Sequence, residues 1–271
     1  MARFRRNCRP APVKSAPWWC PPDYRAQGRG NARRVPEQAL VFTDDGVLHV
    51  QNDPKGTSGP VTTFVRPESL LYMRSSHVLL YGRLELVSAQ GGEPSKLEME
   101  FSGIGWRLME TEWRAMVAKV IAVPVPDYDI EQMQKAMAEK LVLTLPPKFA
   151  DGLPRYGLYT GETLIDTVFQ PAIWDQKWSV VKRQITPNTL LALTEASVLL
   201  IGEDRALVKK SQQYGLTITR IPRKAIAEVR SEAHEHLHEL IFVLTRDGAT
   251  AERRIMLEPE TVKAWMDLWN K

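Results

Sequence analysis

Residues 187–204 read PNTLLALTEASVLLIGED, and residues 36–53 read PEQALVFTDDGVLHVQND. Each has a Pro, a short apolar run, a Thr seven positions after the Pro, an acidic turn and a second apolar run. Two apolar runs around a polar turn read as a hairpin. If one structural unit is used twice, the correspondence has to continue, and it does. Pro36 and Thr43 stand 151 positions before Pro187 and Thr194. TTFVRPESLLYMRSS (62–76) then lines up with ITRIPRKAIAEVRSE (218–232), setting Pro67 against Pro222 and Arg74-Ser75 against Arg230-Ser231. The offset has grown by four or five, a difference in loop length that costs little. Both copies go on to a second hairpin pattern. One spans 77–101 and turns at Gly91-Gly92, and the other spans 237–257 and turns at Asp247-Gly248. Such dipeptides accept the positive φ that tight hairpins need.

Each copy closes on an amphipathic helix. Trp113, Met116, Val117 and Val120 recur at i, i+3, i+4 and i+7, and Val262, Trp265, Met266 and Trp269 repeat that spacing. Glu258-Pro259-Glu260 reads as the second helix start, with Pro in the first turn and carboxylates at the positive end of the dipole. In the second copy the pattern predicts strands near 163–169, 189–194, 197–202, 216–221, 225–231, 238–245 and 251–257, then a helix over 259–270. The expected class is α+β, mainly β: two small antiparallel barrels, each capped by its C-terminal helix.

On these residues the chain resembles the pleckstrin-homology (PH)-like family, in particular its bacterial members. GETLIDTVFQP (161–171) is similar to the opening strand of such domains, LLALTEASVLLIGED to their Thr-centred hairpin, and TVKAWMDLW to their terminal helix. The resemblance is carried by the order and number of elements over 160–271, and less fully over 36–121. It implies a non-catalytic binding or scaffolding role. PH domains of the lipid-binding kind hold phosphoinositide phosphates with Lys and Arg around the first hairpin. Lys182 and Arg183 fall near that place, without the spaced basic motif of those domains.

The expected organisation is a basic, Pro-rich arm (1–35), a first PH-like domain (36–122), a helical and Pro-rich connector (123–157) and a second PH-like domain (158–271). The connector carries a predicted helix near 129–140 with Asp129 as its N-cap. The first copy lacks an evident opening strand, because Pro at 10, 12, 17, 21 and 22 disfavours a central strand upstream of Pro36. Three readings remain open there. The domain is incomplete, residues 140–145 (KLVLTL) fill the edge, or WWCPP (18–22) folds back as the missing strand.

Charge divides along the same lines. Residues 1–38 hold nine basic groups against Asp23 and Glu37, a net +7, and the remaining 233 residues carry −3. Trp18, Trp19 and Tyr24 lie among those cations, so the arm could lie on an anionic surface. At ~1 kcal/mol per cation the arm supplies at most about 7 kcal/mol, short of the ~8.2 that micromolar binding requires, before the tryptophans are counted. In the second copy Lys182, Arg183, Lys209, Lys210, Arg220, Arg223 and Lys224 lie near predicted strand ends and loops. Residues 151–271 as a whole balance 16 basic against 16 acidic groups.

No phosphate-binding glycine loop, dinucleotide fingerprint or nucleophile elbow occurs in the sequence. His234, His236 and His238 alternate, so in one extended strand they would share a face and could meet a metal ion. No cofactor is expected. Cys8 and Cys20 are the only cysteines, and no segment is apolar over the ~18 residues a membrane span needs. The reading is therefore a cytoplasmic protein that recognises a protein partner. Peripheral attachment to an anionic membrane is the main alternative, a metal-dependent enzyme at the histidine run ranks below both, and nucleic acid is not an expected partner.

Overall fold

Thr43 and Thr194 end a strand in each copy, and each ties the turn that follows in the same way. Thr43 Oγ1 lies 3.0 Å from the Gly46 carbonyl and accepts the Gly46 amide at 3.1 Å. Thr194 Oγ1 lies 2.9 Å from the Ser197 carbonyl and accepts the Ser197 amide at 2.8 Å. The computed structural model describes residues 18–20, 37–53, 59–78, 81–122, 137, 141–158, 162–177, 181–203 and 215–271. Within these, the two hairpins are copies at an offset of 151. Strand registers of Val47 on Val65 and Val198 on Ile221 then fix the offset at 156 from the next strand onward. Pro67 therefore does not match Pro222. It opens the short 3₁₀ turn Pro67–Ser69, whereas Pro222 precedes the turn Arg223–Ala225.

The first copy comprises β1 (Trp18–Cys20), β2 (Gln38–Thr43), β3 (Gly46–Gln51), β4 (Val61–Val65), β5 (Leu70–Val78), β6 (Tyr81–Gln90), β7 (Glu93–Ser102) and helix α1 (Gly103–Ile121). After the short helix α2 (Pro147–Gly152) and one π turn (Leu153–Gly157), the second copy runs β8 (Leu164–Gln170), β9 (Ile173–Lys177), β10 (Val181–Thr186), β11 (Thr189–Thr194), β12 (Ser197–Gly202) and β13 (Leu216–Pro222). It ends with β14 (Ile226–His234), β15 (Leu237–Arg246), β16 (Ala249–Leu257) and α3 (Pro259–Trp269). The protein is mainly β, with antiparallel sheets and few helices. The predicted helix near 129–140 and its Asp129 cap lie outside the described residues.

Of the three readings of the first copy's opening strand, folding back is the one observed. β1 pairs with β2, Trp18 opposite Leu40 and Cys20 opposite Gln38, just as β8 pairs with β11. Residues 141–145 are not a strand: Thr144 and Leu145 both donate their amides to the Leu141 carbonyl, which is a helical turn. The ribbon β9–β10 has no counterpart in the predicted strands, because its IWDQK and VKRQIT carry too few apolar residues to give a period-two signal.

Two separate barrels are not what the described residues form. Among them no sheet closes on itself. Instead β5 of the first copy pairs antiparallel with β13 of the second, from Met73 opposite Arg220 to His77 opposite Leu216. This join makes one seven-stranded sheet in the order β7-β6-β5-β13-β12-β11-β8. Beside it stand β1-β2-β3-β4, β14-β15-β16 and the ribbon. The join satisfies two edges that would otherwise expose unpaired backbone groups. Ser76 and Thr217 add a side-chain hydrogen bond across it at 2.9 Å.

Packing follows the same cross-copy logic. One face of β5–β6–β7 contributes Met73, Leu84, Leu86, Leu97, Met99 and Phe101 to a core closed by Trp106, Met109, Trp113, Met116, Val117 and Val120 of α1. The other face sends Leu71, Tyr72, Val87 and Ala89 into the second copy's core, with Phe242, Leu244, Leu257, Val262 and Trp265. Arg253 of β16 lies over the Tyr72 ring, 4.8 Å from its centroid. The helix stripes are thus core plugs, Trp265 meeting Phe242 edge to face at 6.1 Å.

A third core lies on the far side of the second copy's sheet. Leu190, Ala192, Leu199, Ile201, Leu216 and Ile218 are buried there under Leu145, Phe149, Ala150, Leu153 and Leu158. Residues that sequence reading assigns to a connector therefore form a covering layer. This is why β11 and β13 are buried at every position.

Because the second core draws on both copies, the full chain should unfold in one transition, with tryptophan fluorescence and far-ultraviolet circular dichroism superimposing. Trp265→Ala should lower stability by about 3–5 kcal/mol in a denaturant titration. Two resolved transitions would show that the copies fold separately.

Candidate functional site

Arg220 stands in the middle of an apolar strand, LTITRIP, and a charge there needs a partner. The partner is Glu162, just ahead of β8. Arg220 Nη1 donates to both Glu162 oxygens at 2.7 Å, and Arg220 Nη2 donates to the Gly157 carbonyl. Thr194 Oγ1 lies 2.6 Å from Glu162 Oε1, and Ser197 Oγ completes the set by donating to the same oxygen. Both side chains are almost wholly removed from water, at 3% and 0% exposure for Arg220 and Glu162. Burial alone would raise the Glu162 pKa. The adjacent Arg220 charge and the hydroxyls of Ser197 and Thr194 overcome that and hold it below the ordinary carboxylate value. The pair ties the end of the covering layer to the hairpin turn and to β13. Arg220, grouped in the sequence with surface cations, is therefore a buried structural residue.

The remaining sequence candidates do not converge on one place. Arg223 is held over the Trp269 ring, 5.3 Å from its centroid. Lys182 and Arg183 lie on β10, opposite Gln176 and Asp175 of β9. Lys209 and Lys210 lie outside the described residues. Trp18 and Trp19 belong to β1 and are part of the first sheet. Lys224 is exposed beside a cavity of about 520 Å³ lined also by Asp44, Asp45, Arg66, Glu68 and Lys119. Partial burial and the Arg246 charge lower the Lys224 pKa, against the opposing pull of Glu68. Three carboxylates among these cations make the cavity a poor seat for phosphate.

The histidine run is broken by a turn. His234 ends β14, Glu235 and His236 form the turn with Glu235 at φ 48°, and His238 lies on β15 opposite Ala233. The three rings therefore do not share one face of one strand. Glu232, His234 and Glu239 do approach, with ligand atoms within 4.8 Å of one another, but on an exposed ribbon already engaged by Arg230 and Arg254.

The residues that sequence reasoning passed over form the outer face of β2–β3–β4. Cross-strand register puts Ala39 and Val41 beside Val50 and Leu48, and Leu48 opposite Phe64. Their counterparts in the second copy are Leu190, Ala192, Leu199, Ile201 and Arg220, all buried. In the first copy the four aliphatic residues are only half-buried, and Phe64 is 36% exposed. β4 is also an edge strand, with Val61 at 60% exposure. The two faces differ chemically at one corner. Where the second copy sets Ser197 and Arg220 around a carboxylate, the first has Gly46 and Phe64. A Cβ on Gly46 would meet the Val65 carbonyl oxygen at 2.2 Å, so the serine cannot be transplanted.

Compared with family models, with curated proteins and with solved structures, the chain matches none.

Arg220→Ala should cost about 3–5 kcal/mol, because it leaves Glu162 charged and unpaired in the interior. Replacing both partners with Glu162→Leu and Arg220→Met should recover most of that loss. Since the folded Glu162 pKa lies below the ordinary value of 4.5, its contribution is present above pH 4.5 and is lost as pH falls through the folded value. Denaturant titrations across acid pH should show Glu162→Gln lowering stability at neutral pH and flattening this acid dependence.

Proposed function

We propose that this chain is a non-catalytic, tandem PH-like binding protein that recognises a protein partner through the first copy's four-stranded sheet. Each copy supports the PH-like reading with a four-strand group, a three-strand group and a closing helix in fixed order. The observation that carries the binding reading is the difference between two equivalent faces. The second copy's outer sheet face is buried by its own chain, and the first copy's is half-buried, with Phe64 exposed on β4, an edge strand among the described residues. Apolar surface of this kind is what a protein ligand can cover and a phosphate cannot.

Attachment to an anionic surface, the main alternative, rests on the arm and on Lys182, Arg183, Lys209 and Lys210, while three other cations counted toward it are engaged elsewhere. Arg220 is consumed by Glu162, Arg223 is held on Trp269, and Lys224 shares its cavity with three carboxylates. No helix among the described residues is long and apolar enough to cross a membrane.

A photo-crosslinking phenylalanine analogue at position 64, compared with the same analogue at exposed Lys263 of α3, tests the reading in the cell of origin. A discrete protein adduct at 64 alone is the expected result. Adducts to lipid, or the same adducts at both positions, would reject it.

A further inference from the structure

The second copy displays the kind of ligand its sheet face takes, and the first copy keeps the features that would hold a similar one. At the rim of the second face, Asn188 and Glu203 are joined by a backbone hydrogen bond of 3.4 Å, from the Glu203 amide to the Asn188 carbonyl. The Asn188 side chain donates to Glu203 Oε2 at 3.4 Å. At the offset of 151 the first copy has Glu37 and Asn52, the same two residue types with their places exchanged. The Asn52 amide donates to the Glu37 carbonyl at 2.9 Å, and its side chain donates to Glu37 Oε2 at 2.7 Å. The rim carboxylate is thus present in both copies, on opposite strands of the pair and steadied by the same amide.

In the second copy that carboxylate has a task. Lys148 of the covering helix donates to Glu203 Oε1 at 3.1 Å, while Leu145, Phe149 and Leu153, at i, i+4 and i+8, enter the apolar face. No cation among the described residues lies within ion-pair distance of Glu37. We infer that the outer face of β2–β3–β4 binds a short amphipathic helix of a partner protein, with apolar residues at i, i+4 and i+8 on Val41, Leu48, Val50 and Phe64 and a Lys or Arg near i+3 paired with Glu37. This rests on the protein-binding reading above and specifies its ligand. The two faces differ at the far corner, where Phe64 replaces Arg220. The helix arriving there presents an apolar group, not the carboxylate that Glu162 provides.

The probe is a fluorescein-labelled peptide of residues 141–158, LVLTLPPKFADGLPRYGL, titrated by anisotropy with the full chain. Saturable binding is expected, weakened about tenfold by Glu37→Lys in the chain. A peptide bearing Lys148→Glu should then recover affinity for the Glu37→Lys chain. This charge exchange involves a surface residue and does not depend on the fate of core variants such as Leu48→Asp. The inference is overturned by absence of binding, or by binding that responds to Glu203→Lys and not to Glu37→Lys, which would mean exchange with the resident helix. Binding only to a chain beginning at Trp18 would assign the face to the protein's own N-terminal segment and overturn it too. Crosslinks from position 64 that persist at saturating peptide would reject the helix and leave the protein-binding reading standing. Peptide binding without any cellular crosslink would uphold the face's preference for a helix and reject the protein-binding reading.

Discussion

The antiparallel ladder between β5 and β13 is the constraint on which the architecture rests. Both strands would otherwise be edges, one of a three-stranded and one of a four-stranded group, each with a row of unsatisfied amides and carbonyls. Pairing them fixes the angle between the copies and turns the β5–β6–β7 layer into a partition with a core on either side. Leu70 and Leu71 are neighbours in sequence yet serve different cores, and Tyr72 is buried among residues that lie far along the chain. A bulge between Leu70 and Tyr72 accommodates this double duty. The two repeats are units of sequence more than they are independent bodies.

The second consequence is asymmetry. Once the copies are locked together, equivalent surfaces no longer have equivalent surroundings. The second sheet is closed off by α2 and the π turn, and Glu162 and Arg220 seal that layer at its end. The first sheet has no such cover among the described residues. Gly46 and Phe64, in place of Ser197 and Arg220, remove the polar lock altogether. Among the described residues, one copy thus covers its own sheet face and the other leaves apolar surface half-buried.

Much of this was legible in the residues. The Thr-centred hairpins announce themselves because Thr43 and Thr194 sit at fixed distances from a Pro and an acidic turn. Most of the second copy's strands follow from apolar runs bounded by turns, and the helix stripes follow from the spacing of Trp and Val. What could not be read is what depends on distant contacts. Nothing in SLLYMRSSHV says that its backbone pairs with LTITRIP, because register between copies leaves no local period. Arg220 looked like a loop cation, although its place inside an apolar run was the signal that a buried carboxylate must exist. Helical α2 was hidden by its prolines, which sit at its first turn and just after its end, positions that tolerate them. The histidines alternated on paper, but a turn at Glu235 takes them off a common face.

The join between the copies also has a direction. β5 of the first copy meets β13 of the second, which is the counterpart of β4, so the contact is head to tail and does not close on itself. Repeated, it would add molecules in an open row, with β14 presenting the position that β5 fills internally and β4 presenting the strand to fill it. β14 carries Glu228, Arg230 and Glu232 in an exposed network of ion pairs reaching Glu252. Charges of this density along a free edge are how sheets resist unwanted neighbours. On β14 they weigh against a further join that would make the protein the first link of a filament.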